Sequence, residues 1–161
     1  MKLKTDIYER LEINEPYFMN DKLKYFDRSI YGKFDWLKHD EGEGVIDLSK
    51  VIGTAHYNYH GNTWFELLPT NQDNHKNLEV FSSWQHQGKL ARGWQAFDML
   101  LRNPDYFISD DVKENLNYFK VGDDYYINGG NHRTILGRFL LNLNGYDEMI
   151  KGVNITEVII P

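Results

Sequence analysis

An α+β fold is the class the sequence predicts, and three stretches carry the expectation. Ile135, Leu136, Phe139, Leu140 and Leu143 recur at three- and four-residue spacing, the pattern of a helix with one apolar face from about residue 132 to 143. Tyr118-Phe119-Lys120-Val121 and Tyr125-Tyr126-Ile127 flank Gly122-Asp123-Asp124, and read as a β-hairpin just ahead of that helix. A β-branched run from Val153 to Ile160 reads as a final strand.

In chain order, Leu23, Phe26 and Ile30 fall at helical spacing behind the potential caps Asn20 and Asp21, which predicts a short helix over about 21–31. Gly32, Gly42 and the acidic cluster Asp40-Glu41-Glu43 make the stretch to Gly44 a predicted loop; those carboxylates suit a solvated surface better than oxygen ligation of a metal. Val45 to Ile52 reads as a strand. Thr63-Trp64-Phe65-Glu66-Leu67-Leu68, stopped by Pro69, is either a buried strand or a short helical turn. Residues 70–77 read as a loop. Leu90, Trp94, Phe97 and Leu101 predict a helix over about 88–102, closed by Asn103-Pro104, with Lys89, Arg92 and Arg102 off its apolar stripe. Ser109-Asp110-Asp111 reads as an N-cap ahead of a short helix over 112–116, and Asn144-Gly145 as the stop of the helix that begins near 132.

Composition bounds the function. The 161 residues suffice for one well-buried core, and 41% apolar with 15% aromatic residues describes a folded chain. A net charge of −6 argues against binding duplex DNA by bulk electrostatics. No apolar run approaches the length of a membrane span and no secretion signal is visible, so a soluble cytoplasmic protein is the expectation. His56 and His60 stand four apart, but Gly53 and Asn58 to Asn62 break any helix there, so zinc ligation is not expected.

The functional expectation centres on Ile127-Asn128-Gly129-Gly130-Asn131-His132-Arg133, where a strand meets a helix across two glycines. A helix start leaves amide N–H groups unpaired and carries partial positive charge, which suits a phosphate or carboxylate. Glycines let a ligand approach the backbone, and an Arg can grip a phosphate through two parallel donors. The competing reading is an ordinary Asn-Gly turn before a helix with a solvated Arg. Glu66, inside an apolar run, is a candidate general base if burial raises its pKa.

A strand, this Gly-Gly-Asn-His-Arg stretch, an amphipathic helix and a last β-branched strand together resemble the nucleotide-phosphate motif of the ParB/sulfiredoxin superfamily. Sulfiredoxins read Gly-Gly-Cys-His-Arg there, and many ParB-like domains Gly-x-His-Arg or Gly-x-Arg-Arg. The likeness is best over residues 117–160, with a weaker echo at Val45 to Val51 and none assignable between 53 and 110. It implies a small mixed sheet with surrounding helices in a single domain, residues 1–161, with 1–44 as an N-terminal extension and 45–161 as the core. It also implies a nucleoside triphosphate, ATP or CTP, with Mg²⁺, bound through Gly129, Gly130, Asn131, His132, Arg133 and Thr134, and a catalytic set of His132, Arg133 and Glu66. NTP hydrolysis or phosphoryl transfer is the first expectation. The alternative is a DNA-associated module or nuclease of the ParB-like class, or a regulatory protein without catalysis; nucleic acid is then a partner, though the helix-turn-helix that follows the fold in ParB proteins is not seen before Pro161. Asn131 stands at the position of the sulfiredoxin cysteine in a chain without cysteine, so thiol chemistry is excluded.

Overall fold

The computed structural model describes residues 3–68 and 105–161, together with Met99, Arg102 and Asn103. The predicted loop 70–77 and most of the predicted helix 88–102, with Lys89 and Arg92, lie outside the described residues; Met99 and Arg102 are helical.

Among the described residues seven strands form one mixed sheet: β1 (Lys24–Tyr25), β2 (Asp35–Lys38), β3 (Gly44–Asp47), β4 (Val51–Thr54), β5 (Asn117–Val121), β6 (Asp124–Gly129) and β7 (Met149–Ile159). Their order is β1-β4-β6-β5-β7-β2, with β3 also on β7. Strands β1, β4 and β6 run parallel, β5 returns antiparallel to β6, and β7 runs parallel to β5 and antiparallel to β2 and β3. Helices bounded within the described residues are α1 (Ile7–Ile13), α2 (Arg28–Tyr31) and α3 (Asn131–Leu143). Helices and a mixed sheet make this an α+β chain, as the element pattern predicts.

The hairpin falls where the sequence puts it, β5 to β6 around Gly122 at φ 61°. Helix α3 ends at the expected Asn144-Gly145, with Gly145 at φ 75°. Its side chains Ile135, Leu136, Phe139 and Leu140 are fully buried against Phe18, Trp64, Leu48, Ile127 and Ile150. The other sheet face carries a smaller cluster, Phe26, Phe119, Tyr126 and Val158, in which Phe26 stacks on Phe119 at 4.3 Å.

Four expectations change. The helix expected over 21–31 shrinks to α2. Leu23 and Phe26 are buried from extended backbone, Ile30 is 53% exposed, and the cap is Asp27, whose Oδ1 accepts from Ser29 N at 2.9 Å. The expected loop 32–44 holds β2, invisible to periodicity because all of Asp35–Lys38 is exposed on a sheet edge. The single strand expected over 45–52 is broken by a 3₁₀ turn, Leu48–Lys50, capped by Asp47, so its halves pair with different strands, β3 with β7 and β4 with β6. No helix forms over 112–116: Ser109 and Asp111 give their carbonyls to the Lys113 ammonium at 2.6 and 2.7 Å, and Lys113 N donates to Gly152 O at 2.7 Å. Lys113 is 1% exposed, and burial lowers its pKa. Of the two readings of residues 63–68, the helical turn is the one found, a 3₁₀ turn at Phe65–Leu67. Residues 3–44 supply β1 and β2 to the sheet and Ile7 and Phe18 to the core, so the N-terminal segment is built into the fold.

Candidate functional site

Strands β4 and β6 are parallel neighbours, with Thr54 in register with Ile127, so both end at the same sheet edge. Ligands of open sheets with parallel strands gather outside such carboxyl ends. Chain leaving β6 turns at Gly130, φ 83°, and enters α3 at Asn131. That left-handed conformation disfavours any Cβ, and one built at Gly130 would also collide with Leu116 Cδ1. At Gly129 an added Cβ would sit 3.0 Å from Asn117 Nδ2 and 3.1 Å from Asn115 O. The turn itself demands a glycine at Gly130, whereas Gly129 has extended strand backbone and a Cβ there would be tight against the segment before β5. The first helical bond is Thr134 N to Gly130 O, 2.9 Å, so the amides of the residues before Thr134 are the helix-start donors.

The loop after β4 fastens the first turn of α3. Thr54 Oγ1 donates to Asn131 Oδ1 at 2.7 Å and itself accepts from His56 N at 3.0 Å. Tyr59 Oη and His132 Nε2 are hydrogen-bonded at 2.9 Å, their rings edge to face. Tyr59 is 2% exposed, and its ring lies 4.2 Å from that of His56. Asn131 and His132 are thus held in place from a strand and loop more than seventy residues earlier.

Other expected site residues take different posts. The Arg133 guanidinium turns back along the chain: Nη1 donates to Tyr106 Oη and Glu114 O, both at 2.8 Å, and Nη2 to Asn115 O at 3.1 Å. Asn115 is the one non-glycine residue with positive φ among those described, 59°, and Arg133 pins its carbonyl. The two terminal nitrogens that would clamp a phosphate are engaged in holding the segment before β5. Thr134 is fully buried, and its hydroxyl pairs with Tyr118 Oη at 2.7 Å, so it faces the core and away from any ligand at the helix start. Burial raises the Tyr118 phenol above its usual range. Glu66 closes a reciprocal capping box: Thr63 N donates to its Oε1 at 3.2 Å, and Glu66 N donates to Thr63 Oγ1 at 3.1 Å. That accounts for Glu66 as a cap. His60 packs against Tyr25 and Tyr57, apart from His56, and among the described residues no group of three or more His, Cys, Asp or Glu side chains could hold a metal.

Sequence reasoning passed over Thr54 and Tyr59 because their roles depend on the parallel pairing of β4 with β6, which no local pattern announces. Compared with known proteins, the chain matches no family model, no curated protein and no solved structure.

Proposed function

We propose that the chain binds a nucleoside triphosphate, ATP or CTP, through its phosphates at the start of α3, and hydrolyses it or transfers a phosphoryl group. The observation that carries this reading is the Gly129-Gly130 turn. It places the start of a thirteen-residue helix, with its amides and the positive end of its dipole, at the carboxyl end of a parallel strand, with Asn131 and His132 fixed beside it. The resemblance to the ParB/sulfiredoxin motif supports the same ligand. In this reading the helix-start amides meet the phosphate charge and His132, oriented by Tyr59, contributes to its stabilisation during transfer. Arg133 acts as a positioning residue that holds residues 114 and 115 against the turn. Mg²⁺ would arrive bound to the phosphates of the nucleotide.

A thermal-shift panel of ATP, GTP, CTP and UTP, with and without Mg²⁺, tests the proposal. A ligand at about a hundred times its Kd stabilises by ~2.7 kcal/mol, which in a chain of this size raises Tm by roughly 5–10 °C. At least one triphosphate should do so, and Gly130→Ala should remove the shift. Unchanged melting with all four at millimolar concentration would refute the proposal.

A further inference from the structure

The sheet face opposite α3 holds a pocket of about 410 Å³ whose walls include Arg28, Trp36, Lys38, Asn117, Asn128 and Asn154. The alternation of the strands explains the gathering. Asn117 of β5 is in register with Asn154 of β7, Asn128 lies on the neighbouring β6, and each shares its face with the second aromatic cluster.

Three side-chain amides in a row have no fixed polarity by themselves, since each offers a carbonyl oxygen and two N–H groups. Here the internal hydrogen bonds fix it. Asn128 Oδ1 accepts from Arg28 Nη2 at 3.0 Å, Asn154 Oδ1 accepts from the backbone N of Gly42 at 2.7 Å, and Asn117 Oδ1 accepts from Asn154 Nδ2 at 2.7 Å. In these bonds each amide oxygen accepts once and one of the six amide N–H groups donates, so more donors than acceptor lone pairs are left to offer. Among the described residues that line the pocket, the charged side chains, Arg28 and Lys38, are both cations, and none is a carboxylate. A chain with net charge −6 has therefore built a concavity dominated by donors. Trp36 is 38% exposed, and its indole N–H donates to Tyr31 O at 2.9 Å, which fixes the orientation of an aromatic wall of the pocket.

We infer that this pocket binds a small anion that carries a planar ring, of the size of a nucleoside monophosphate. The cations and amide donors take the charged group, and Trp36 takes the ring. The volume lies within the range of sites for single small molecules. Its side chains leave the sheet face opposite α3, and it adjoins the turn before α3 at Gly129, against which Asn117 Nδ2 lies.

The test is an NMR titration of the full chain with AMP, CMP, adenosine, ribose 5-phosphate and a short oligothymidylate. The reporters are the side-chain amides of Asn117, Asn128 and Asn154 and the indole N–H of Trp36. AMP or CMP should shift all four together. Adenosine, which lacks the charge, and ribose 5-phosphate, which lacks the ring, should bind about tenfold more weakly or less. Arg28→Gln and Lys38→Met should each weaken the mononucleotide about tenfold while the core amide signals stay in place. Absence of shifts with both mononucleotides would overturn the inference. So would shifts confined to the backbone amides of Gly130, Asn131 and His132, or a response to the oligothymidylate alone. The helix-start amides report on the other site independently, so failure here leaves the triphosphate proposal standing or falling on its own signals.

Discussion

Arg138 offers the sharpest test of how the helix bearing the candidate site is anchored. Its Nε donates to Glu148 Oε1 at 2.6 Å, with the two side chains 3% and 11% exposed. The guanidinium lies 3.8 Å from the ring centre of Phe18 and 4.5 Å from that of Trp64. Glu148 also accepts from Tyr17 Oη at 3.1 Å and from Asn142 Nδ2 at 3.3 Å. Glu148→Ala leaves a buried cation without its anion, a change that costs about 3–5 kcal/mol. The facing rings soften that by about 1–2 kcal/mol through cation–π attraction, while the two lost neutral donors add about 1 kcal/mol each. The expected net loss is about 4 kcal/mol. Arg138→Met should cost less, about 1–3 kcal/mol, because the methionine fills an aromatic cage and Glu148 keeps two donors. The double variant Arg138→Met, Glu148→Gln should fall short of the summed single losses by at least about 2 kcal/mol. Urea unfolding followed by tryptophan fluorescence measures all of these, read as midpoint shifts at constant m. A Glu148→Ala loss under about 1 kcal/mol, or single losses that add within about 0.5 kcal/mol, would refute the idea of a coupled buried pair.

Three other outcomes are expected. Gly130→Ala must adopt positive φ and displace Leu116, so it should destabilise by about 2–4 kcal/mol in the same urea experiment; a loss under 1 kcal/mol would mean that the turn relaxes. Arg133→Ala releases Tyr106 and the carbonyls of Glu114 and Asn115, and should cost about 1–3 kcal/mol and speed amide exchange in the segment before β5; unaltered exchange there would contradict the positioning role. Burial raises the phenol pKa values of Tyr8 and Tyr118, and that of Tyr126 to about 12. Above pH 10 the unfolded chain releases these protons while the folded chain keeps them, so it binds fewer protons than the folded chain and stability falls as pH rises. Ultraviolet titration should show these phenols ionising only together with unfolding, and their ionisation in the folded state would contradict the burial.

The parts of the fold that were legible in the sequence are those whose stabilisation is local. The apolar stripe Ile135, Leu136, Phe139, Leu140 and the Gly122 turn each declare an element within a few residues. Strand β2 could not be seen, because an edge strand with every side chain exposed has no burial pattern to display. The burial of Arg138 beside the stripe depends on Phe18 and Trp64, which are distant in sequence and close over it. The candidate site divides in the same way. Gly130 is required by a local turn, and the Gly-Gly pair in the sequence pointed to it. The posts taken by Arg133, Thr134 and Glu66 depend on which neighbour each meets first: the carbonyls before β5, the Tyr118 hydroxyl and the Thr63 cap.

Strand β7 sets the order in which this molecule can assemble. Its first half receives β3 and its second half β2, so Asp47 is in register with Met149 and Asp35 with Ile159. During synthesis residues 35–47 therefore emerge long before the strand that pairs with them. Closing so wide a loop costs entropy before any pairing is gained, which slows folding, and open strand edges are prone to pair with the wrong neighbour. The charges along this stretch, Asp35, Lys38, Asp40, Glu41 and Glu43, suit that interval, since charged edges discourage association between nascent chains.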